Sequence, residues 1–295
     1  MKSTLLALLA FVVLSSCKND TKTEESTTSD SQTEISALPT ATFTSETLGL
    51  KSCESAVYDA TTNHIYASLI GGREEGDGSI AKLKLDGTLV DSMFIINLND
   101  PKGIVVTGDK LFVSDVKHLV EADVNTGVIL NTYTQDSVNF LNDVEIDSEG
   151  NIYVSDTSNS EIYKLDTKGN FELWLADEAL DRPNGLLYED GTMYVASWGA
   201  SEEGGRVSKI DMQTKQIDYI TRKIGNLDGI RPYGDGRLLI SDWRSGNIHL
   251  ISMNGEIDSL TTVGMSVGDI AYIKDKSLLF LPMNRQSRLL FYNLK

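Results

Sequence analysis

The chain has 295 residues, of which 23% are charged, and a formal net charge of −17. This balance argues against a nucleic-acid partner, because phosphate binding needs clustered Lys and Arg and the sequence contains no such cluster. An acidic surface favours solubility and attracts cations, but it does not identify a fold.

The N-terminus predicts an export signal, residues 1–16. Lys2 precedes an apolar run from Leu5 to Leu14, which is too short to span a membrane as a helix. The run Leu14-Ser15-Ser16-Cys17 resembles the lipobox of bacterial lipoproteins, which implies cleavage before Cys17 and lipidation of that residue. An ordinary secretory signal that happens to contain a cysteine is the alternative. We expect an exported lipoprotein held by its lipid on a cell-envelope membrane, the outer membrane in particular, facing the periplasm or the cell surface.

Residues 17–40 are predicted to be the lipidated cysteine followed by a disordered tether. The segment is rich in Thr, Ser, Asp and Glu and has almost no large apolar side chains. Such a composition cannot bury enough surface to order the chain. The remaining residues, 41–295, suit a single all-β domain, which we expect to be monomeric.

A short phrase recurs six times in this domain at nearly constant spacing. Its first residues stand 48, 40, 42, 44 and 40 positions apart. Repeats of about 40–50 residues are typical of propellers, arrays and solenoids. The first residue of each phrase, called here the lead residue, is in chain order Glu54, Lys102, Asn142, Asn184, Asp228 and Gly268.

Each repeat contains four strand-like stretches. The third repeat reads LNDVEID, NIYVSD, EIYKLD and NFELWLA, and Gly, Asn, Ser and Asp separate these stretches. No long stretch has convincing helical periodicity. Six repeats of four antiparallel strands predict a six-bladed β-propeller, since the coils of a β-solenoid, the main alternative, are usually shorter.

The ends of the domain predict how the ring closes. After Gly268 only three strand candidates remain, so the last blade lacks one strand. The stretch ATFTSETLG, residues 41–49, stands where an outer strand is expected before the first blade. We therefore predict that this N-terminal strand completes the last blade and removes its free edge.

A closed ring brings the lead residues to one mouth, because each phrase opens the innermost strand of its blade. The loops between the second and third strands lie at the same face as the lead residues. Two of them, 71–78 and 199–205, are unusually long. Long loops on one rim are common sites of specificity, although tolerated insertion explains them equally well. The second strands end in Asp115, Asp156, Trp198, Asp242 with Trp243, and Met283.

The lead residues have the chemistry of a cation site. Glu54 and Asp228 are carboxylates, while Asn142 and Asn184 contribute carboxamide oxygens. Calcium and magnesium prefer oxygen ligands, and calcium tolerates irregular geometry. Manganese or zinc remain possible, although no Cys/His set with zinc-ligand spacing is present. The alternative is that Asn, Asp and Gly merely form turns before strands, which explains Glu54 poorly.

Four segments give the chain a family resemblance: ESAVYD (54–59), FLNDVEID (140–147), RPNGLLY (182–188) and LDGIRPYGDGRLLISDW (227–243). Over residues 41–295 the chain resembles the gluconolactonase/regucalcin (senescence marker protein) family of six-bladed propellers. The resemblance implies that Glu54, Asn184 and Asp228 hold one divalent cation. It also implies that Asn142 contacts the substrate or a water near the cation, and that Asp228 is the general base in hydrolysis of a small-molecule lactone or ester.

The sequence departs from that family at three positions. Ser-Ala-Val-Tyr follows Glu54, where the hydrolases often have Gly-Pro and a Trp, and Phe140 replaces an Arg that is frequent in sugar-lactone hydrolases. Lys102 places a cation in the second blade. It can bind a substrate carboxylate or hydroxyl, pair with Glu54, or partly replace metal charge, and we favour substrate binding or ion pairing. These departures argue against transferring the specificity for sugar lactones.

Two functions remain open from the sequence. The first is the metal-dependent lactone or ester hydrolase. The second is a binding propeller of the NHL-like type, with a structural ion or none, whose acidic rim loops recognise a partner. Since propellers host many functions, the fold does not choose between them. A Ser-His-Asp hydrolase ranks third, because no G-x-S-x-G phrase occurs.

Overall fold

Six four-stranded antiparallel sheets form the domain, in a computed structural model that describes residues 38–72 and 74–295. The innermost strand of each sheet contacts the innermost strand of the next, and the sixth contacts the first. The predicted six-bladed β-propeller is therefore confirmed. The predicted signal peptide, the lipidation of Cys17 and the tether through residue 37 lie outside the described residues.

The first three blades follow the chain from the innermost strand outwards. Strand β1 (Ala41–Leu48) belongs to the last blade. Blade 1 contains β2 (Cys53–Asp59), β3 (His64–Leu69), β4 (Gly78–Lys84) and β5 (Leu89–Leu98). Blade 2 contains β6 (Pro101–Thr107), β7 (Lys110–Asp115), β8 (His118–Asp123) and β9 (Ile129–Tyr133). Blade 3 contains β10 (Leu141–Ile146), β11 (Ile152–Asp156), β12 (Glu161–Leu165) and β13 (Phe171–Ala176).

Blades 4 and 5 repeat this order, and blade 6 uses both ends of the domain. Blade 4 contains β14 (Pro183–Glu189), β15 (Thr192–Ser197), β16 (Val207–Asp211) and β17 (Ile217–Tyr219). Blade 5 contains β18 (Leu227–Gly234), β19 (Arg237–Asp242), β20 (Asn247–Ser252) and β21 (Ile257–Thr262). Blade 6 contains β22 (Ala271–Ile273), β23 (Leu278–Met283), β24 (Arg288–Leu294) and, outermost, β1 (Ala41–Leu48).

Helical structure in the described part of the chain is limited to two 3-10 turns, Glu178–Leu180 and Lys274–Lys276. No helix within residues 38–72 and 74–295 is long and apolar enough to cross a membrane.

The N-terminal strand closes the ring as predicted. β1 pairs antiparallel with β24, from Ala41 opposite Leu294 to Leu48 opposite Arg288. Beyond the strands, the Thr40 amide donates to the Lys295 carbonyl at 2.6 Å and the Lys295 amide returns a 3.1 Å hydrogen bond. Because β1 covers the outer edge of β24, the two ends of the domain hold each other in place.

The middle strands are buried on both faces because each blade packs between two others. All five residues of β11 are buried, and so are five of the six residues of β3. The outermost strands instead expose most of their side chains, as in β9. This layering explains why the second strands read as nearly continuous apolar runs rather than as alternating patterns.

Neighbouring innermost strands approach too closely for side chains at some positions. A Cβ atom on Gly185 would lie 2.1 Å from the Asp228 carbonyl oxygen, and one on Gly268 would lie 2.1 Å from that of Glu54. Across the same junction, the Asp269 amide donates to the Glu54 carbonyl at 2.9 Å. Glycine in the recurring phrase thus permits backbone contact around the axis.

We expect a chain that begins at Gly49, and so lacks β1, to unfold at a temperature roughly 10 °C or more below that of a chain beginning at Leu38. The loss exposes the edge of β24 and removes the pairing between the domain ends. Differential scanning calorimetry of the two variants measures the effect. Equal unfolding temperatures would show that β1 contributes little to closure.

Candidate active site at the propeller mouth

Five of the six lead residues line one cavity of about 520 Å³. A volume of this size suits a small-molecule ligand. The sixth, Gly268, has no side chain and lies against the Glu54 backbone instead. The five lead residues of the cavity, all buried, are Glu54, Lys102, Asn142, Asn184 and Asp228.

Glu54 and Asp228, which line this cavity, each have a buried carboxylate oxygen without a hydrogen-bond partner among residues 38–72 and 74–295. These oxygens are Glu54 Oε2 and Asp228 Oδ1, on residues that are only 6% and 4% exposed. An unpaired buried oxygen is costly, so a cation, a water molecule or a ligand group would stabilise both. The Asn184 side chain is near enough to hydrogen-bond the Asp228 carboxyl group.

Burial has the largest effect on the pKa values of Glu54 and Asp228. It raises the pKa of Glu54 to about 8, against the opposing effect of the Lys102 charge and with a further rise from Asp269. Burial also raises the pKa of Asp228 well above its usual range, and the nearby Glu54 charge adds to this rise. A bound cation would favour the charged form of both carboxylates and reverse these shifts.

Lys102 is held at the edge of the site. Its Nζ donates to the Asp100 carbonyl oxygen at 3.0 Å and lies 4.6 Å from the centre of the Phe140 ring. The positive charge is close enough to Glu54 to lower the pKa of that carboxyl group. An ammonium group has three N–H bonds, so Lys102 can also donate to an oxygen of a ligand in the cavity.

Further ionisable groups line the axis, and the sequence analysis missed them. Arg231 Nη2 donates to Asp269 Oδ2 at 2.9 Å, and Ser55 Oγ donates to the same oxygen at 2.9 Å. Asp143 Oδ2 accepts from the Leu186 amide at 2.7 Å. Asp143 and Asp269 each directly follow a lead residue, which is the signal that could have identified them.

Carboxyl groups outnumber basic groups around the axis. Burial raises the pKa of Asp143 and Asp269, and it raises that of Glu145 to about 7 despite the nearby Arg231. Such a surplus is costly away from water unless protons or a cation compensate it. The mutually interacting groups are the carboxyl groups of Glu54, Asp143, Glu145, Asp228 and Asp269 and the basic groups of Lys102 and Arg231.

The residue that follows each second strand lines the same cavity in five blades. Their side chains differ in polarity. The sequence analysis noted only Trp198 and Trp243 among them, as strand ends. The five are Ile70, Thr157, Trp198, Trp243 and Asn284.

The aspartates that end second strands have another role. Asp115 accepts hydrogen bonds from the amides of Asn99 and Asp100, both at 2.8 Å. Asp156 accepts from the Asn139 amide at 2.7 Å. These carboxylates hold the loops that lead into the innermost strands, so they position Lys102 and Asn142 from behind rather than face the ligand.

Both long rim loops flank the mouth. One side cavity, of about 910 Å³, is lined by the acidic side chains of Glu74, Glu75 and Asp100. Another, of about 530 Å³, is lined by Arg182 and Arg244 together with residues of the loop 199–205. Lys102 also lines the first cavity and Glu202 the second, so each side of the mouth carries charges of both signs.

A metal at this mouth would depend on amide oxygens as well as carboxylates. Within residues 38–72 and 74–295, no group of three or more His, Cys, Asp or Glu side chains has an arrangement suited to a metal ion. The set formed by Glu54, Asp228, Asn184 and Asn142 has only two carboxylates. Oxygen ligands of this kind fit calcium or magnesium better than zinc.

Comparison with known proteins finds similar folds but no similar sequences. No protein-family model matches the sequence, and no curated protein matches it. Among solved structures, a gluconolactonase from Xanthomonas campestris is similar, with a TM-score of 0.65, 16% identity and coverage of 88% of both chains.

Two other solved propellers are similar at the same level. A luciferin-regenerating enzyme has a TM-score of 0.63 and 14% identity, covering 87% of this chain and 95% of its own. The virginiamycin B lyase of Staphylococcus aureus has a TM-score of 0.61 and 11% identity, covering 85% and 99%. The expected resemblance to gluconolactonase-like propellers is confirmed as a likeness of fold.

Replacing Arg231 by Met is expected to destabilise the domain by about 3–5 kcal/mol at neutral pH, because it leaves Asp269 buried without its ion pair. The Asp269 pKa would then rise further above its unfolded value. A carboxyl group whose folded pKa is raised binds more protons when folded, so the deficit should shrink as the pH falls from about 8 towards 5. Chemical denaturation at several pH values measures this, and a deficit that is constant with pH would contradict it.

Proposed function

We propose that the protein is a divalent-metal-dependent hydrolase of a lactone or related ester. The observation that carries the proposal is that Glu54 and Asp228 line one cavity of ligand size and each keep a buried carboxylate oxygen, Oε2 and Oδ1, without a partner in the part of the chain that the structure describes. A cation bound between the two carboxylates would compensate both oxygens.

The residues present fit a cation. Glu54, Asn184 and Asp228 would hold it, and calcium is the cation that we favour because it accepts oxygen ligands in irregular geometry. The surplus of carboxyl groups around the axis supports the same assignment, since a divalent ion would offset it. Magnesium, manganese and zinc are the alternatives for direct comparison.

Each residue of the site has a distinct role in this proposal. A bound cation would polarise the substrate carbonyl and stabilise the negative charge that develops on its oxygen. The Asp228 carboxylate accepts a proton from the water that attacks the carbonyl carbon, as a general base. Lys102 donates a hydrogen bond to an oxygen of the substrate.

Asn142 is pre-positioned for substrate contact. Its Nδ2 donates to Thr157 Oγ1 at 3.2 Å, and that hydroxyl donates to the Pro183 carbonyl at 2.7 Å. The chain of hydrogen bonds fixes the plane of the amide at the cavity wall. A fixed amide supports substrate orientation without a cost in side-chain freedom on binding.

The names of the similar propellers are compatible with the proposal but do not select a reaction. One is a gluconolactonase and another is a lyase, so the same fold carries different chemistry. The test must therefore identify both the metal and the product.

Calcium is expected to raise the unfolding temperature of the metal-free chain, because an ion at about 100 times its Kd adds roughly 2.7 kcal/mol to folding stability. The increase should be lost in Glu54→Gln and in Asp228→Asn. Asp258→Asn is the matched control, since Asp258 is exposed on the outermost strand of the same blade as Asp228. Calorimetry with Ca²⁺, Mg²⁺, Mn²⁺ and Zn²⁺ ranks the ions, and no stabilisation by any of them would contradict the metal site.

Lactone hydrolysis is expected to require metal and to fall by at least about 10²–10⁴-fold in Asp228→Asn, because the variant lacks both the proton acceptor and one ligand of the cation. Asp258→Asn should retain wild-type rates. Turnover of a lactone panel in ¹⁸O-labelled water should give a carboxylate product that contains one labelled oxygen.

Two results would overturn the proposed hydrolase, and a third would overturn the role of Asp228. Tight metal binding without turnover would favour the binding propeller, in which the ion is structural. An unlabelled, unsaturated product would indicate elimination rather than hydrolysis. Undiminished turnover by Asp228→Asn would exclude this residue as the base.

A further inference from the structure

Four half-buried apolar side chains line the same cavity as Glu54 and Asp228. They are Ile70, Phe140, Trp198 and Trp243. Half-buried apolar groups that face an open cavity keep surface that a ligand can remove from water, which is a favourable contribution to binding.

Two of these residues occupy the same repeat position in adjacent blades. Trp198 directly follows β15 in blade 4, and Trp243 directly follows β19 in blade 5. Their rings lie edge to face, with centroids 5.7 Å apart. The equivalent positions in blades 3 and 6 carry Thr157 and Asn284, so the backbone of the repeat does not require an aromatic residue here.

Hydrogen bonds fix the backbone that carries the two indoles, and ring contacts add to this. The buried Asn226 donates through Nδ2 to the Trp198 carbonyl at 2.9 Å and accepts from the Trp243 amide at 2.9 Å. The Arg285 guanidinium lies 4.8 Å from the centre of the Trp243 ring. A preformed aromatic surface binds apolar groups with little loss of conformational freedom.

Some polar groups beside this surface already have partners. Asn142 and Thr157 hydrogen-bond each other, and Thr157 also donates to the Pro183 carbonyl. Asn184 interacts with the Asp228 carboxyl group. Lys102, Ser158, Arg182 and Asn284 also line the cavity, so the apolar surface adjoins polar groups that can bind the oxygens of an ester.

We propose that the substrate carries an apolar substituent that packs against Trp198 and Trp243 while its carbonyl group lies at Glu54 and Asp228. The substrate class is therefore an alkyl- or aryl-substituted lactone or ester. This inference rests on the proposed hydrolase function for the reaction, but the apolar subsite can be tested without turnover.

The kinetic test compares δ-decalactone with δ-valerolactone, which share one ring and differ by a pentyl chain, on the Ca²⁺-loaded chain. Each buried methylene contributes about fourfold, so we expect kcat/KM to favour δ-decalactone by at least about tenfold. The preference should approach unity in Trp198→Ala and Trp243→Ala and return in the Phe variants of both positions. Trp174→Phe is the matched control, because Trp174 lies on β13 and packs against Tyr153.

The binding test uses tryptophan fluorescence. The chain has three tryptophans, so in Trp174→Phe both remaining indoles belong to the cavity. In metal-free Trp174→Phe, δ-decalactone should change the emission at concentrations at which δ-valerolactone and D-glucono-δ-lactone have no effect. Thermal unfolding of every variant checks that the fold is retained.

The outcomes separate this inference from the proposed function. Hydrolysis with equal kcat/KM for the two lactones, or with a preference for D-glucono-δ-lactone, would overturn the apolar subsite and leave the hydrolase standing. Fluorescence changes with δ-decalactone in the absence of any lactone turnover would support the subsite and contradict the hydrolase. If δ-decalactone is neither bound nor hydrolysed, the inference is overturned.

Discussion

The backbone contact between adjacent innermost strands is the constraint on which the site depends. At the junction of the last and first blades, the Asp269 amide donates to the Glu54 carbonyl, and Gly268 leaves room for that contact. The strands can meet in this way around the whole axis only because β1 and β24 join the two ends of the domain. Once the ring is closed, the start of every innermost strand lies at the same mouth. Residues far apart in the chain, such as Glu54 and Asp228, then line one cavity.

Convergence of this kind concentrates charge. Carboxyl groups from different blades are buried near one another, so burial raises the pKa values of Glu54 and Asp228, and the charge of Asp269 adds to both rises. Arg231 pairs with Oδ2 of Asp269, while Oδ1 of the same residue has no partner among the described residues. At the mouth, Lys102 supplies one positive charge, yet one oxygen of Glu54 and one of Asp228 have no partner in the same part of the chain. The closure that stabilises the ring thus creates the site at which we propose that a cation binds, and the indoles of the rim add an apolar surface beside it.

Much of the architecture could be predicted because each repeat is defined by short strand and turn patterns in the sequence. The spacing of the phrases predicted six blades, and the missing strand after Gly268 predicted closure by residues 41–49; both are confirmed. The convergence of five lead residues also followed from ring geometry. Asp143 and Asp269 were missed, because alternation along a strand indicates a face but not which groups meet across an axis. Asp115 illustrates a second limit, since a carboxylate at a strand end can face a ligand or hold backbone amides, and only the loop conformation decides between them.

The sequence by itself determined the number of blades, the strand that closes them and the residue types available at the mouth, since these depend on turn chemistry, apolar patterning and repeat length. Only the tertiary structure decided which of these side chains remain unpaired and which are already committed. That distinction arises because burial, charge coupling and hydrogen bonding depend on groups brought together from different blades. Trp198 and Trp243 are two strand ends in the sequence; packing of adjacent blades makes them a single aromatic surface.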